Sequence, residues 1–359
     1  MSHSKLFSPI TLRDVTARNR VWVSPMCQYS AVDGVPNDWH LVHLGSFASG
    51  GAGLVFTEAT AVVPEGRISP EDTGLWNDEQ QAVWARIVDF LHSQGAVAGI
   101  QLAHAGRKAS TQAPWVGRGA VADADGGWTP VAPSAKPFPG LREDPEALDG
   151  DGIRAVVTAF GDSAERSIAA GFDVLEIHAA HGYLLHEFLS PLSNERDDEY
   201  GGSFDNRVRL LLEVVAEVRG RIPGGTPIVV RISGTDWTEG GWDIEQSTRL
   251  AGLLKEAGVD LVDVSSGGNV AAQIPLGPGY QVHLAEQVRT AGLPTGAVGL
   301  ITEPKQAEEI IATGRADVVL LARVLLREPH WALRAAHELG IEVGDGIEWP
   351  NQYLRAVPS

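Results

Sequence analysis

The chain has 359 residues, 43% of them hydrophobic and 21% charged, with no low-complexity tract, a composition that excludes disorder and allows a sizeable core. Its formal charge of −18 argues against a nucleic-acid partner, which requires concentrated Lys and Arg to displace counterions. Cys27 is the only cysteine, so the chain can form no internal disulfide, four-cysteine zinc site or cysteine-held iron–sulfur cluster of its own, and redox chemistry requires an organic cofactor.

Taken in chain order, eight short apolar, β-branched runs appear at 20–24, 54–60, 96–102, 174–178, 227–233, 261–265, 296–300 and 317–322. Amphipathic segments separate them, which predicts a closed (β/α)8 TIM barrel. The segment 77–94 carries Trp76, Val83, Trp84, Ile87, Val88 and Leu91 as a core stripe, and 204–220 carries Leu210, Leu211, Val214, Val215 and Val218. Asn77 and Ser203 are the expected N-caps. An open doubly wound sheet has the same alternation, but no Gly-x-Gly-x-x-Gly follows an early strand, which lowers the case for a Rossmann domain. One region breaks the rhythm. Residues 109–150 crowd Pro114, Trp115, Trp128, Pro130, Pro133, Pro137, Phe138 and Pro139 together after the third strand, where a long loop insertion caps the active-site face of a barrel. The whole chain, 1–359, reads as one domain. Every apolar stretch falls short of the roughly 20 residues that span a bilayer, and Met1-Ser2-His3-Ser4-Lys5 lacks an apolar signal region; the expectation is no membrane partner and a cytoplasmic location.

Barrel enzymes draw catalytic groups from the C-terminal ends of several strands. The fourth delivers His178, His181 and Tyr183 within six positions. In extended chain, 178 and 181 point to opposite faces, so convergence requires the strand to end near 178 and the chain to bend through Ala179 and Ala180. Two imidazole N–H groups aimed at one point would hold a carbonyl or nitro oxygen, a role worth roughly 2.7–4 kcal/mol per donor. Tyr183 is then placed as a general acid, worth about 10²–10⁴-fold. A structural histidine pair, or a metal site adding His186 or Glu187, uses the same residues. A second signal lies at strands seven and eight, where barrels often hold a phosphate: Gly299 permits close backbone approach, and Arg323 after Ala322 supplies a two-pronged donor. A cofactor phosphate fits there.

The stretch His178–Arg207 (HAAHGYLLHEFLSPLSNERDDEYGGSFDNR) closely resembles the hallmark segment of the old yellow enzyme family, the NADH:flavin oxidoreductases and ene-reductases. Ser24-Pro25-Met26-Cys27-Gln28-Tyr29, Glu58–Val62, Gln101–Lys108 and Ala316–Arg323 match as well, so the resemblance runs from about residue 5 to 355. Cys27 together with Tyr29 is similar to the bacterial, thermophilic-like subclass. The resemblance implies FMN as cofactor and NAD(P)H as co-substrate. It implies that Ser24, Pro25, Met26, Cys27, Ala59, Gln101, Arg231, Ala322 and Arg323 line the FMN, with Arg231 near the flavin N1 edge and Cys27 tuning the potential. Tyr29, His178 and His181 would contact the substrate, an activated alkene that accepts hydride at its β-carbon while Tyr183 protonates the α-carbon. The tail at 340–359 resembles a segment that reaches a neighbouring subunit, which would make Arg355 an inter-subunit substrate contact in a homodimer or homotetramer. A metal-dependent hydrolase on a barrel and a flavin carrier without turnover are the rival functions.

Overall fold

The computed structural model describes residues 4–358. Eight parallel strands close into a barrel in which each pairs with its sequence neighbours and the eighth pairs with the first. They are Val21–Val23, Leu54–Ala61, Val97–Ala103, Val174–Ala179, Ile228–Ser233, Leu261–Ser265, Thr295–Ala297 and Val318–Leu321. Nearly every strand residue is buried, because one side faces the barrel interior and the other the ring of helices; this is why the strands read as continuous apolar runs. The seventh strand is shorter than its apolar run: Gly299 and Leu300 take positive φ (113° and 52°) and leave the sheet.

The helices begin where side chains can satisfy their free amides. Asn77 accepts from the Gln80 amide and closes a capping box on Asp78–Ser93, whose Trp84, Ile87, Val88 and Leu91 are buried. Trp76 therefore precedes that helix instead of belonging to its stripe. Ser203 caps Phe204–Arg207, and a second helix, Arg209–Arg221, continues after a break at Val208 with Leu210, Leu211, Val214, Val215 and Val218 buried.

Two features are absent from the sequence-based reading. An antiparallel hairpin, Ile10–Leu12 with Val15–Ala17, turns at Arg13, whose φ is 49°. Its Leu12 and Ala17 join Trp22, Phe56, Val174, Val229, Leu261, Val318 and Leu320 in a cluster that fills one end of the barrel. Residues 109–150 form one 3-10 turn, Asp123–Asp125, and a two-residue parallel ladder, Val131–Ala132 against Glu146–Ala147. This excursion is anchored where it crosses: Trp128 Nε1 donates to the Glu65 carbonyl, and Arg196 Nη1 to those of Pro133 and Leu148. No helix among the described residues is long and apolar enough to cross a membrane.

Candidate active site

Strand register sets which side chains meet at the open end. Ala59 lies opposite Gln101, and Gln101 opposite Glu176. Two residues further along, His178 lies opposite Arg231 and Arg231 opposite Asp263. Ser24, Pro25, Met26 and Cys27 follow the first strand directly, and the Ser24 amide bonds to the Leu321 carbonyl at the end of the eighth. Ala59, Ala103, Ala105 and Ala109 form an apolar patch against which Cys27, Trp128 and Tyr183 pack.

The fourth strand continues through Ala179, so the bend falls later than expected. His181 (φ 61°) and Gly182 (φ 71°) make it, not Ala179 and Ala180. A left-handed histidine costs energy that neighbours must offset, and several do. Ser233 Oγ accepts from the His181 amide at 2.9 Å. Lys108 Nζ donates to the carbonyls of His181 (2.8 Å) and Gly268 (3.0 Å), which ties the loops after strands four and six together. These loops approach so closely that a Cβ on Gly182 would stand 2.3 Å from the Gly268 oxygen, so only glycine fits there. The turn brings the three predicted groups together: the rings of His178 and His181 are 5.2 Å apart at 84°, and that of Tyr183 is 5.1 Å from His178.

Burial, reinforced by the nearby Arg231 charge, holds both imidazoles well below the ordinary histidine range, so both are neutral at neutral pH. Burial pushes the Tyr183 phenol up, and it therefore keeps its proton. His178 Nδ1 accepts from the Ala180 amide at 3.3 Å, and His181 Nε2 lies 2.7 Å from Ser265 Oγ. His186 does not join the pair. Its Nδ1 accepts from the Gly182 amide and its Nε2 faces Asp236 at 3.1 Å, which leaves no nitrogen for a shared metal.

Arg231 is 6% exposed, with Nε against Asp263 at 2.9 Å. Its terminal nitrogens make no protein hydrogen bond among the described residues. Gln101 donates to Glu176 at 2.7 Å. Cys27 lies within 4.8 Å of buried Glu58 and Asp72 carboxyl oxygens; burial and those two acids raise its thiol well above the usual range. That favours a neutral thiol over a nucleophilic thiolate. The Tyr29 ring meets Trp115 edge-on at 5.7 Å, so the excursion touches the site through one of its tryptophans.

At strands seven and eight, a cavity of about 190 Å³ is lined by Gly299, Leu300, Thr302, Ala322, Arg323 and Arg327. A larger cavity of about 880 Å³ lies between residues 4–9 and 339–348, beside Arg18 at the entry to the first strand, away from these side chains. Arg355 stands apart: it is exposed on the 3-10 turn Asn351–Ala356, whose Tyr353 packs near His330, and it has no hydrogen bond or ion pair among the described residues. Lys108 and Ser265, to which the sequence assigned no role, support the histidine turn through the His181 carbonyl and ring.

The family model for NADH:flavin oxidoreductases and NADH oxidases matches residues 5–342. An NADPH dehydrogenase of Listeria innocua is 49% identical, over 98% of this chain and 99% of its own. An NADH:flavin oxidoreductase of Gibberella zeae is also 49% identical, over 96% of this chain and 89% of its own. The solved old yellow enzyme homologue of Zymomonas mobilis superposes with a TM-score of 0.79 at 28% identity and 99% coverage of both chains. The chain thus belongs to the NADH:flavin oxidoreductase family and is an FMN-dependent, NAD(P)H-oxidising flavoenzyme of the old yellow enzyme type.

Proposed function

We propose that this flavoenzyme is an ene-reductase, which transfers hydride to the β-carbon of an alkene conjugated to a carbonyl or nitro group. The observation that carries the reading is the cluster of two neutral imidazoles and one protonated phenol at a single turn of the barrel mouth. His178 and His181 hold the activating oxygen and stabilise the charge that develops on it. Tyr183 delivers the proton to the α-carbon. FMN, when bound, supplies the two-electron exchange, from NAD(P)H in one half of the cycle and to the alkene in the other.

The residues present fit that cofactor. Arg231 is a buried cation with free terminal donors and would face the pyrimidine edge beside Gln101. Gly299, Ala322 and Arg323 line a cavity suited to the phosphate. Ser24, Pro25, Met26, Cys27 and Ala59 would pack against the ring system, and Tyr29 against the substrate. The pairing of Cys27 with Tyr29 supports the thermophilic-like subclass. Exposed Arg355 is assigned to a neighbouring subunit's site in a homodimer or homotetramer. A cytoplasmic location completes the reading.

Anaerobic stopped-flow separates the half-reactions. Tyr183→Phe is expected to slow reoxidation by 2-cyclohexenone by about 10²–10⁴-fold while flavin reduction by NADPH keeps its rate. Equal losses in both halves would remove Tyr183 as proton donor. A yellow protein inert to NAD(P)H would favour a carrier.

A further inference from the structure

A neutral imidazole carries one N–H, and only the nitrogen that bears it can donate to a substrate oxygen. On His178 the choice is local: Nδ1 accepts from the Ala180 amide, which leaves the hydrogen on Nε2. On His181 the 2.7 Å contact between Nε2 and Ser265 Oγ serves either direction, so the tautomer is decided further out. Gln281 Nε2 donates to the Val298 carbonyl at 3.1 Å, which orients the amide with Oε1 toward the two serines. Ser266 Oγ donates into that oxygen at 2.5 Å, whereas Ser265 Oγ stands 3.5 Å from it, at the limit of a hydrogen bond. The single hydroxyl hydrogen of Ser265 therefore has its better acceptor in His181 Nε2.

We propose that Gln281, Ser266 and Ser265 form a positioning relay in which Ser266 takes up the Gln281 oxygen and leaves the Ser265 hydroxyl to donate to His181 Nε2; this fixes the hydrogen of His181 on Nδ1 and so makes the second ring of the pair a donor to the substrate oxygen. Burial protects the relay: Gln281 is 2% exposed, Ser265 6% and Ser266 7%, too little for water to offer competing partners. Gln281 is held from the other side as well. A Cβ on Gly299 would lie 2.7 Å from its Nε2, so the glycine of the phosphate-side loop leaves room for the amide. His181 Nδ1 has no protein partner among the described residues, and its N–H is free for a ligand. The proposal rests on the reading of the two histidines as oxygen donors.

Long-range ¹H–¹⁵N spectra of the oxidised FMN holoenzyme, labelled with ¹⁵N-histidine, report the tautomer of each neutral ring. Wild-type protein is expected to show His181 protonated at Nδ1. Ser265→Ala is expected to move the proton toward Nε2, the form a free histidine side chain favours, and Ser265→Thr to restore Nδ1. Binding of 2-cyclohexenone to the oxidised holoenzyme, followed by flavin absorbance, should weaken about tenfold in Ser265→Ala, the scale of one lost hydrogen bond, and recover in Ser265→Thr. A wild-type His181 protonated at Nε2, or a tautomer unmoved by Ser265→Ala, overturns the relay. If instead His181→Ala binds cyclohexenone as tightly as wild type, the donor reading itself falls and takes the relay's role with it; the tautomer spectra tell these two failures apart.

Discussion

Glu176 and Asp263 are carboxyl groups inside a barrel, and one guanidinium serves them both. Arg231 contacts Asp263 directly and acts on Glu176 through its charge, while the Gln101 amide is the one hydrogen-bond partner of Glu176 among the described residues. Burial and the neighbouring Asp263 push the Glu176 carboxyl up to about 8, so the folded protein holds a proton there that the unfolded chain releases from near pH 4.5. The sign follows: the stabilisation from that proton is full below about pH 4.5 and is lost as pH rises toward 8. Glu176→Gln, neutral throughout, is free of that loss. Its melting temperature should gain on that of the wild-type holoenzyme between about pH 5 and pH 8 in a thermal-shift titration. A gap that stays constant across the range would refute a protonated Glu176 in the folded protein. Acidic residues amid apolar strands are visible in the sequence, but their partner is not, because only strand register sets Gln101 opposite Glu176 and Arg231 opposite Asp263.

Among elements, the excursion at 109–150 bears most directly on substrate access. Its Trp115 is 69% exposed yet meets the Tyr29 ring edge-on, and such pairs are worth about 0.5–1.5 kcal/mol. Trp115→Ala should therefore raise KM for the alkene by about 2- to 10-fold and leave FMN stoichiometry unchanged. Steady-state kinetics and flavin quantitation check both halves, and an unaltered KM would make the excursion a bystander. Its composition marked it as functional in the sequence; its contact did not show there, since a Pro- and Gly-rich loop has no period from which a facing residue can be read. The fourth-strand turn repeats the lesson. The spacing of His178 and His181 showed that a bend is needed for them to converge, but it falls at His181 and Gly182 instead of Ala179 and Ala180 because Lys108, Ser233 and Gly268, distant in sequence, hold it there.

For the whole molecule, the exposed tail is the open end of the fold. Arg355 lies on a turn beside His330 with no partner of its own among the described residues, and the proposed inter-subunit role is open to a direct test. Arg355→Ala should weaken alkene affinity or shift the oligomer measured by light scattering. If neither changes, the tail is a solvated terminus.

Sequence by itself determined the number and order of the barrel strands, the helix caps at Asn77 and Ser203, and the family, because apolar runs, capping residues and a thirty-residue motif are local properties. Tertiary structure alone decided the hairpin that closes one end, the shortening of strand seven, the position of the turn at His181, and the side chains that fix each imidazole. The physical reason is range: hydrogen bonds such as Gln281 to Val298 or Lys108 to Gly268 join residues whose proximity exists only once the barrel has closed.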